Sequence, residues 1–203
     1  MSTIPPDAID EIDVIDEIAA VPASLDAVRR RRPDVREYAQ KSFESLFDPI
    51  DDAEFSSADR WLVAAFVTRL TADDDAAAFY AARALTAAPE TAELVLAAAA
   101  STATSGPYGV YAEPGLQGEN QDGFRLSADD LDARIDRRLA AGLEHAHLLT
   151  YRLRETDGGS HDRLIAAGWS LDGIVTLSQL IAFLAFQQRV AAGLRVLGAA
   201  VSA

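Results

Sequence analysis

The chain has 203 residues and a formal net charge of −14, so its surface repels phosphate backbones and anionic headgroups, and neither nucleic acid nor membrane is an expected partner. Hydrophobic residues make up 49%, enough to bury one large helical core. There is no cysteine, which excludes disulfides, thiolate metal sites and thiol nucleophiles.

The N-terminus carries Asp7, Asp10 and Glu11 and no basic residue, unlike a signal peptide, and the apolar run from Ile181 to Phe186 is too short to span a bilayer. A cytoplasmic location is therefore expected. Helical periodicity runs through almost the whole sequence and no alternating strand pattern stands out. Residues from about Pro6 to Ile18 predict a short acidic helix. Ser24 caps a second that ends near the basic run Arg29 to Arg32, and Pro33 opens a third carrying Val35, Tyr38, Phe43, Leu46 and Phe47. That basic run, isolated in an acidic chain, is expected to pair with surface carboxylates.

Ser56 or Ser57 caps the next helix, whose stripe is Leu62, Val63, Phe66, Val67 and Leu70. Asp73, Asp74 and Asp75 end it and cap a further helix holding Phe79, Tyr80 and Leu85. Pro89 opens an alanine-rich helix to about Ala103. From Ser105 to Leu126 glycine and proline replace all periodicity, giving a loop long enough to be functional or mobile, with Tyr108, Tyr111 and Phe124 to pack it down. Ser127 and Asp130 predict a capping box for a long helix reaching about Glu155, with Leu131, Ile135, Leu139, Leu143, Ala146, Thr150 and Leu153 inward. Ser160 caps a short helix stopping at Gly168, and Ser170 caps the last and longest, to about Leu197.

Two blocks of the chain carry a family resemblance, Ser57 to Leu85 and about Leu143 to Leu197. The first contains SADRWLVAAFVTRL; the second contains a long apolar helix with Gln187, Arg189 and Gly193 where the family has a polar-x-arginine element and a glycine-containing tail. Together they span under half the chain and resemble the AhpD-like family, the alkylhydroperoxidase and carboxymuconolactone decarboxylase relatives. The segment RRRRPDVREYAQ is similar to an extended, peroxidase-related subgroup with a helical preamble. The resemblance implies an all-α, AhpD-like helical bundle over residues 51–203, including the loop 105–126, preceded by an N-terminal helical extension over residues 1–50. In the redox-active branch a Glu, a Cys-x-x-Cys pair and a His relay protons and electrons. Here those positions hold Trp61, Asp73, Ala76 and Tyr80, so the dithiol mechanism has no sulfur to run on.

The remaining polar residues of the two blocks set the candidate site. Asp73, Tyr80 and His147 are the candidate acids and bases, and Trp61, Gln187 and Arg189 the candidate ligand-binding residues. Arg189 shares a face with Ala182, Ala185, Ala192, Gly193 and Val196. It is expected either to pair with a buried carboxylate or to receive an anion, for which a guanidinium fork is suited. A buried Gln187 amide needs a hydrogen-bond partner. Glu144 and His147 have the Glu-x-x-His spacing of carboxylate-bridged metal sites, but no second copy accompanies them, so no metal and no cofactor is expected. His147 and Tyr151, at i and i+4, could share a hydrogen bond. His161 beside Ser160 lacks the orienting acid and oxyanion donors of a triad.

The expected function is that of a cysteine-less AhpD-like protein without dithiol peroxidase activity that binds a small molecule or a paralogous subunit. A non-thiol enzyme of decarboxylase or isomerase type using Asp73, Tyr80, His147 or Arg189 stays open. So does alkylhydroperoxidase-like chemistry with a metal or cofactor. Small-residue faces at Ala182–Gly193 and Ala97–Ala100 predict a homo-oligomer.

Overall fold

The computed structural model describes residues 13–19, 21 and 25–201, and among these the fold is all-α, with one isolated bridge between Gly109 and Gln121. The helices are α1 (Val14–Ala19), α2 (Asp26–Arg29), α3 (Pro33–Phe47), α4 (Ser57–Thr71), α5 (Asp75–Ala87), α6 (Pro89–Thr102), α7 (Arg137–Tyr151), α8 (Gly158–Ala166) and α9 (Leu171–Val201).

Helix α4 is the hub. It buries Leu62, Val63, Ala64, Ala65, Phe66, Val67 and Leu70, apolar on every side, because α5, α6, α7 and α9 surround it. Ser56 caps it by accepting from Asp59 N at 3.1 Å. Arg60 lies buried on its first turn and donates to Phe55 O and Leu46 O, both at 2.8 Å. It thereby caps the C-terminal end of α3 with positive charge. A single hydrophobic core runs from Val14 to Leu194.

Several boundaries move from where periodicity puts them. The expected first helix begins at Val14, and its expected start at Pro6 and the Ser24 cap lie outside the described residues. The helix opened by Pro33 buries Leu46 and Phe47, but Val35 and Tyr38 are exposed. The Ser127–Asp130 capping box forms, yet it closes only the 3-10 turn Ala128–Asp130. Asp136 is the cap of α7, accepting from Arg138 N and Leu139 N. The chain is thus broken between Leu131 and Asp136, and Leu153, expected inward, is 63% exposed. Asp157 rather than Ser160 caps α8, with Ser160 as the reciprocal partner. Gly168 does end α8, at φ +100°, where a Cβ would be strained.

The basic run also behaves differently from a solvated patch. Arg29 is buried and binds Asp13 and Asp16 at 2.7 Å each, while Arg36 bridges the same two carboxylates at 2.8 and 2.9 Å. This double ion pair ties α1 to α2 and α3. Arg30 pairs with Asp26.

Helix α9 has 31 residues, about 46 Å at 1.5 Å per residue. The short run Ile181–Phe186 understates it: by length and composition Leu171–Ala200 is long and apolar enough to cross a membrane. Its inner face, with Leu177, Leu180, Leu184, Ala191 and Leu194, packs on the core.

The loop after α6 is pinned rather than free. Tyr108 N donates to Tyr151 O at 2.6 Å, Thr104 and Tyr108 join hydroxyls at 2.7 Å, and Val110 N donates to Glu155 Oε1 at 3.2 Å. Arg152 is held by Glu155 and donates to Gly123 O at 2.8 Å. The charge of Arg152 holds the Glu155 carboxyl below its ordinary value, chiefly through their hydrogen bond. Tyr108 is buried, whereas Phe124 stays 45% exposed with its edge on His147.

Candidate functional site

The three consecutive polar residues of α9 point three ways, because successive residues turn by about 100° around a helix. Gln187 faces α5, Gln188 faces α4, and Arg189 faces outward. Each meets a different environment.

Gln187 is fully buried and accepts a 2.6 Å hydrogen bond from Tyr80 Oη, also fully buried. Burial pushes the Tyr80 phenol well above its ordinary value of 10, against the opposing pull of Gln187 and Arg83. Around this pair sits an aromatic knot. Trp61 stacks on Phe47 at 4.2 Å between ring centroids and lies 6.2 Å from Tyr80. Phe43 and Phe79 close the sides, and the Arg83 guanidinium covers Phe79 and the edge of Trp61. Gln187 Nε2 has no hydrogen-bond partner among the described residues. Trp61 and Tyr80 are therefore held among packed rings, and a phenol that resists ionisation is not a base at neutral pH.

Asp73 does not join them. Its carboxylate is 81% exposed and paired with Arg69 at 2.6 Å. The neighbouring Asp74 caps α5, accepting from Ala77 N at 3.1 Å, and binds Arg195 at 2.7 Å.

His147 lies on α7, buried between Phe124 and Tyr151, with ring centroids 5.4 and 5.1 Å away. The hydrogen bond expected between His147 and Tyr151 is an edge-on ring contact instead: Tyr151 Oη donates to Leu70 O and accepts from Thr104 N at 3.2 Å. Burial pushes the His147 imidazole down to about 4, helped by the cations of Arg152 and Arg125. Glu144 does not converge on it, because its carboxylate binds Arg163 at 3.0 Å and accepts from Ala128 N at 2.9 Å. His145 is buried on the other side of α7, with neither ring nitrogen hydrogen-bonded among the described residues, beside a void of about 10 Å³ reached by Ser160 and Arg163. That is about the space of one water. No group of three or more His, Asp or Glu that could hold a metal ion occurs among the described residues.

Of the two expectations for Arg189, a buried carboxylate partner or a bound anion, the first is not met, because the residue is exposed. Its guanidinium donates from Nη1 to Ala185 O at 3.1 Å and forms no ion pair among the described residues. It stands at the rim of a groove of about 710 Å³. One wall is α9 from Ser178 to Arg189, another the C-terminal turns of α4 with Val67 and Thr71, the third Leu149–Tyr151 and Leu153, and the fourth Thr104–Pro107 of the pinned loop. That volume falls in the roughly 300–1,000 Å³ range of small-molecule sites. Gln188 fastens α9 to α4 at the base: Nε2 donates to Thr68 O at 3.1 Å and Oε1 accepts from Thr71 Oγ1 at 2.9 Å.

Of the six candidates, then, Trp61, Tyr80 and Gln187 meet in one closed cluster, Arg189 opens onto the groove, and Asp73 and His147 stand apart from both. Sequence reasoning gave no role to Gln188 or Thr71, and it named Tyr151 and the loop from Ser105 without placing them beside Arg189. The signal available was three adjacent polar residues inside an apolar helix, which obliges each to have a different reason for its polarity. Compared with known families, curated proteins and solved structures, the chain matches none.

Proposed function

We propose that the protein is a cysteine-less, AhpD-like protein of the carboxymuconolactone decarboxylase type that binds a small molecule non-covalently in the groove beside Arg189. The observation that carries this reading is the groove itself: a space of ligand size next to a guanidinium without an ion pair among the described residues. The Trp61–Tyr80–Gln187 cluster supports it from the other side, since Trp61 is packed on Phe47 and the Tyr80 phenol is spent on Gln187. Ligand retention rather than chemistry is the function, and with no cysteine the chain performs no dithiol reduction of peroxides. Its strong negative charge favours a cytoplasmic protein that avoids nucleic acid and anionic membrane. The outward apolar residues at the two ends of α9, Leu171 and Val175 at one and Val196 and Leu197 at the other, offer contact to a second copy, in keeping with a homo-oligomer.

The test is thermal unfolding against a panel of small apolar and amphipathic molecules, since a ligand that binds only the native state raises its melting temperature. The expected result is a saturable rise in the wild type that disappears in Ala182→Trp, whose indole fills the groove from an exposed position. No rise with any compound, or an unchanged rise in Ala182→Trp, contradicts the proposal.

A further inference from the structure

We infer that the groove takes an amphipathic organic monocarboxylate, with its carboxylate on the Arg189 guanidinium and its apolar tail along α9 toward Ser178; this rests on the groove being the ligand site. Among the residues that line it, Arg189 is the only charged one. The other arginine of α9, Arg195, is held by Asp74 at 2.7 Å. Arg189 has no such partner among the described residues, and its one hydrogen bond, to Ala185 O, leaves most of its five N–H donors for a ligand. A planar fork of donors matches a carboxylate in bidentate fashion.

Apart from Ser105 on the loop, the other polar side chains of the lining are already engaged within the protein. Gln188 bridges Thr68 and Thr71, Tyr151 Oη donates to Leu70 O, Thr150 Oγ1 to Ala146 O and Ser178 Oγ to Ile174 O. A sugar or polyol would find few free partners there, and a phosphate dianion would find one cation. What remains is a single positive point followed by apolar wall: Ala185, Ala182 and Ile181 of α9 against Val67 and Leu149. From Arg189 to Ser178 this wall runs about 16 Å along the helix axis, the reach of a medium-chain acyl tail. The absence of any carboxylate from the lining matters in a chain of net charge −14, because the surface at large repels an anion and nothing in the groove opposes one at Arg189.

The experiment is calorimetric titration of the full chain with decanoate and with 1-decanol, in the wild type, Arg189→Gln and Arg189→Lys, with sedimentation of each sample. Arg189 is exposed and holds only its own helix, so neither variant threatens the fold. Decanoate is expected to bind the wild type about tenfold tighter than decanol, the preference shrinking as salt rises. In Arg189→Gln the acid falls to the level of the alcohol, while Arg189→Lys, a point charge without the fork, keeps part of the preference. Equal binding of acid and alcohol in the wild type, or undiminished decanoate binding in Arg189→Gln, overturns the carboxylate assignment and leaves the groove reading standing. Binding of neither compound overturns both. A dimer that Ala182→Trp dissociates, with no decanoate bound, assigns the groove to a second copy and overturns both as well.

Discussion

Tyr80 Oη and Gln187 Oε1 meet at 2.6 Å in the fully buried heart of the molecule, across 107 residues of sequence. The bond joins α5 to α9 beneath the stacked rings of Trp61 and Phe47, and it satisfies the phenol while leaving Gln187 Nε2 without a partner among the described residues. Removing either group alone strands the other. Tyr80→Phe and Gln187→Leu are each expected to cost about 1–3 kcal/mol of stability, the usual penalty of a buried polar atom left alone. The double variant, which strands nothing and removes the unpartnered Nε2, is expected to be more stable than the sum of the two losses allows. Denaturant unfolding of the four proteins checks this, and additive losses contradict it.

His145 and His147 face opposite sides of α7 and both are buried as neutral rings, each pushed down to about 4 by burial first. For His145 the nearby His161 and Arg163 add to the shift, and for His147 Arg152 and Arg125 do. In the unfolded chain each titrates near the ordinary 6.5, so between about 6.5 and about 4 the unfolded state binds more protons than the folded one. Their contribution is therefore intact above pH about 6.5, erodes as the pH falls through that window, and is fully lost near 4. Relative to the wild type, His145→Leu is expected to gain stability as the solution is acidified over this range. Parallel pH profiles of urea midpoints for the two proteins would contradict the account.

Gly109 sits at φ +111°, and a Cβ there would come 2.8 Å from Glu155 Cγ, the residue whose carboxylate anchors Val110 and Arg152. Gly109→Ala is expected to cost about 1–3 kcal/mol through backbone strain and this collision. It should also speed hydrogen exchange at the amides of Gly109 and Gln121, which pair with each other's carbonyls at 2.8 and 3.2 Å. Gly115→Ala, where a Cβ meets nothing within 4 Å, is the control and should be nearly silent.

How far the sequence announces all this depends on the kind of signal. Prolines at helix starts, the Ser56 and Asp74 caps and the Gly168 stop are local chemistry, and each falls where the residues predict. The break before α7 was hidden because Leu131 and Ile135 keep helical spacing while Asp136 competes as a stronger cap. Gln187 was legible as a buried amide in need of a partner, but its partner is a tertiary fact and no spacing names Tyr80. Arg189 misled for the opposite reason. Its apolar neighbours suggested burial, and only the packing of α4, α7 and the pinned loop decides that this face of α9 looks onto a groove.

The measurement closest to the central claim is a map of backbone amide chemical shifts during titration with decanoate. Perturbations concentrated at Thr104–Tyr108, Leu149–Leu153 and Ser178–Arg189, with Trp61 and Tyr80 unmoved, are what a ligand in the groove produces. Perturbations centred on Trp61, Tyr80 and Asp73, or none at saturating decanoate, would contradict it.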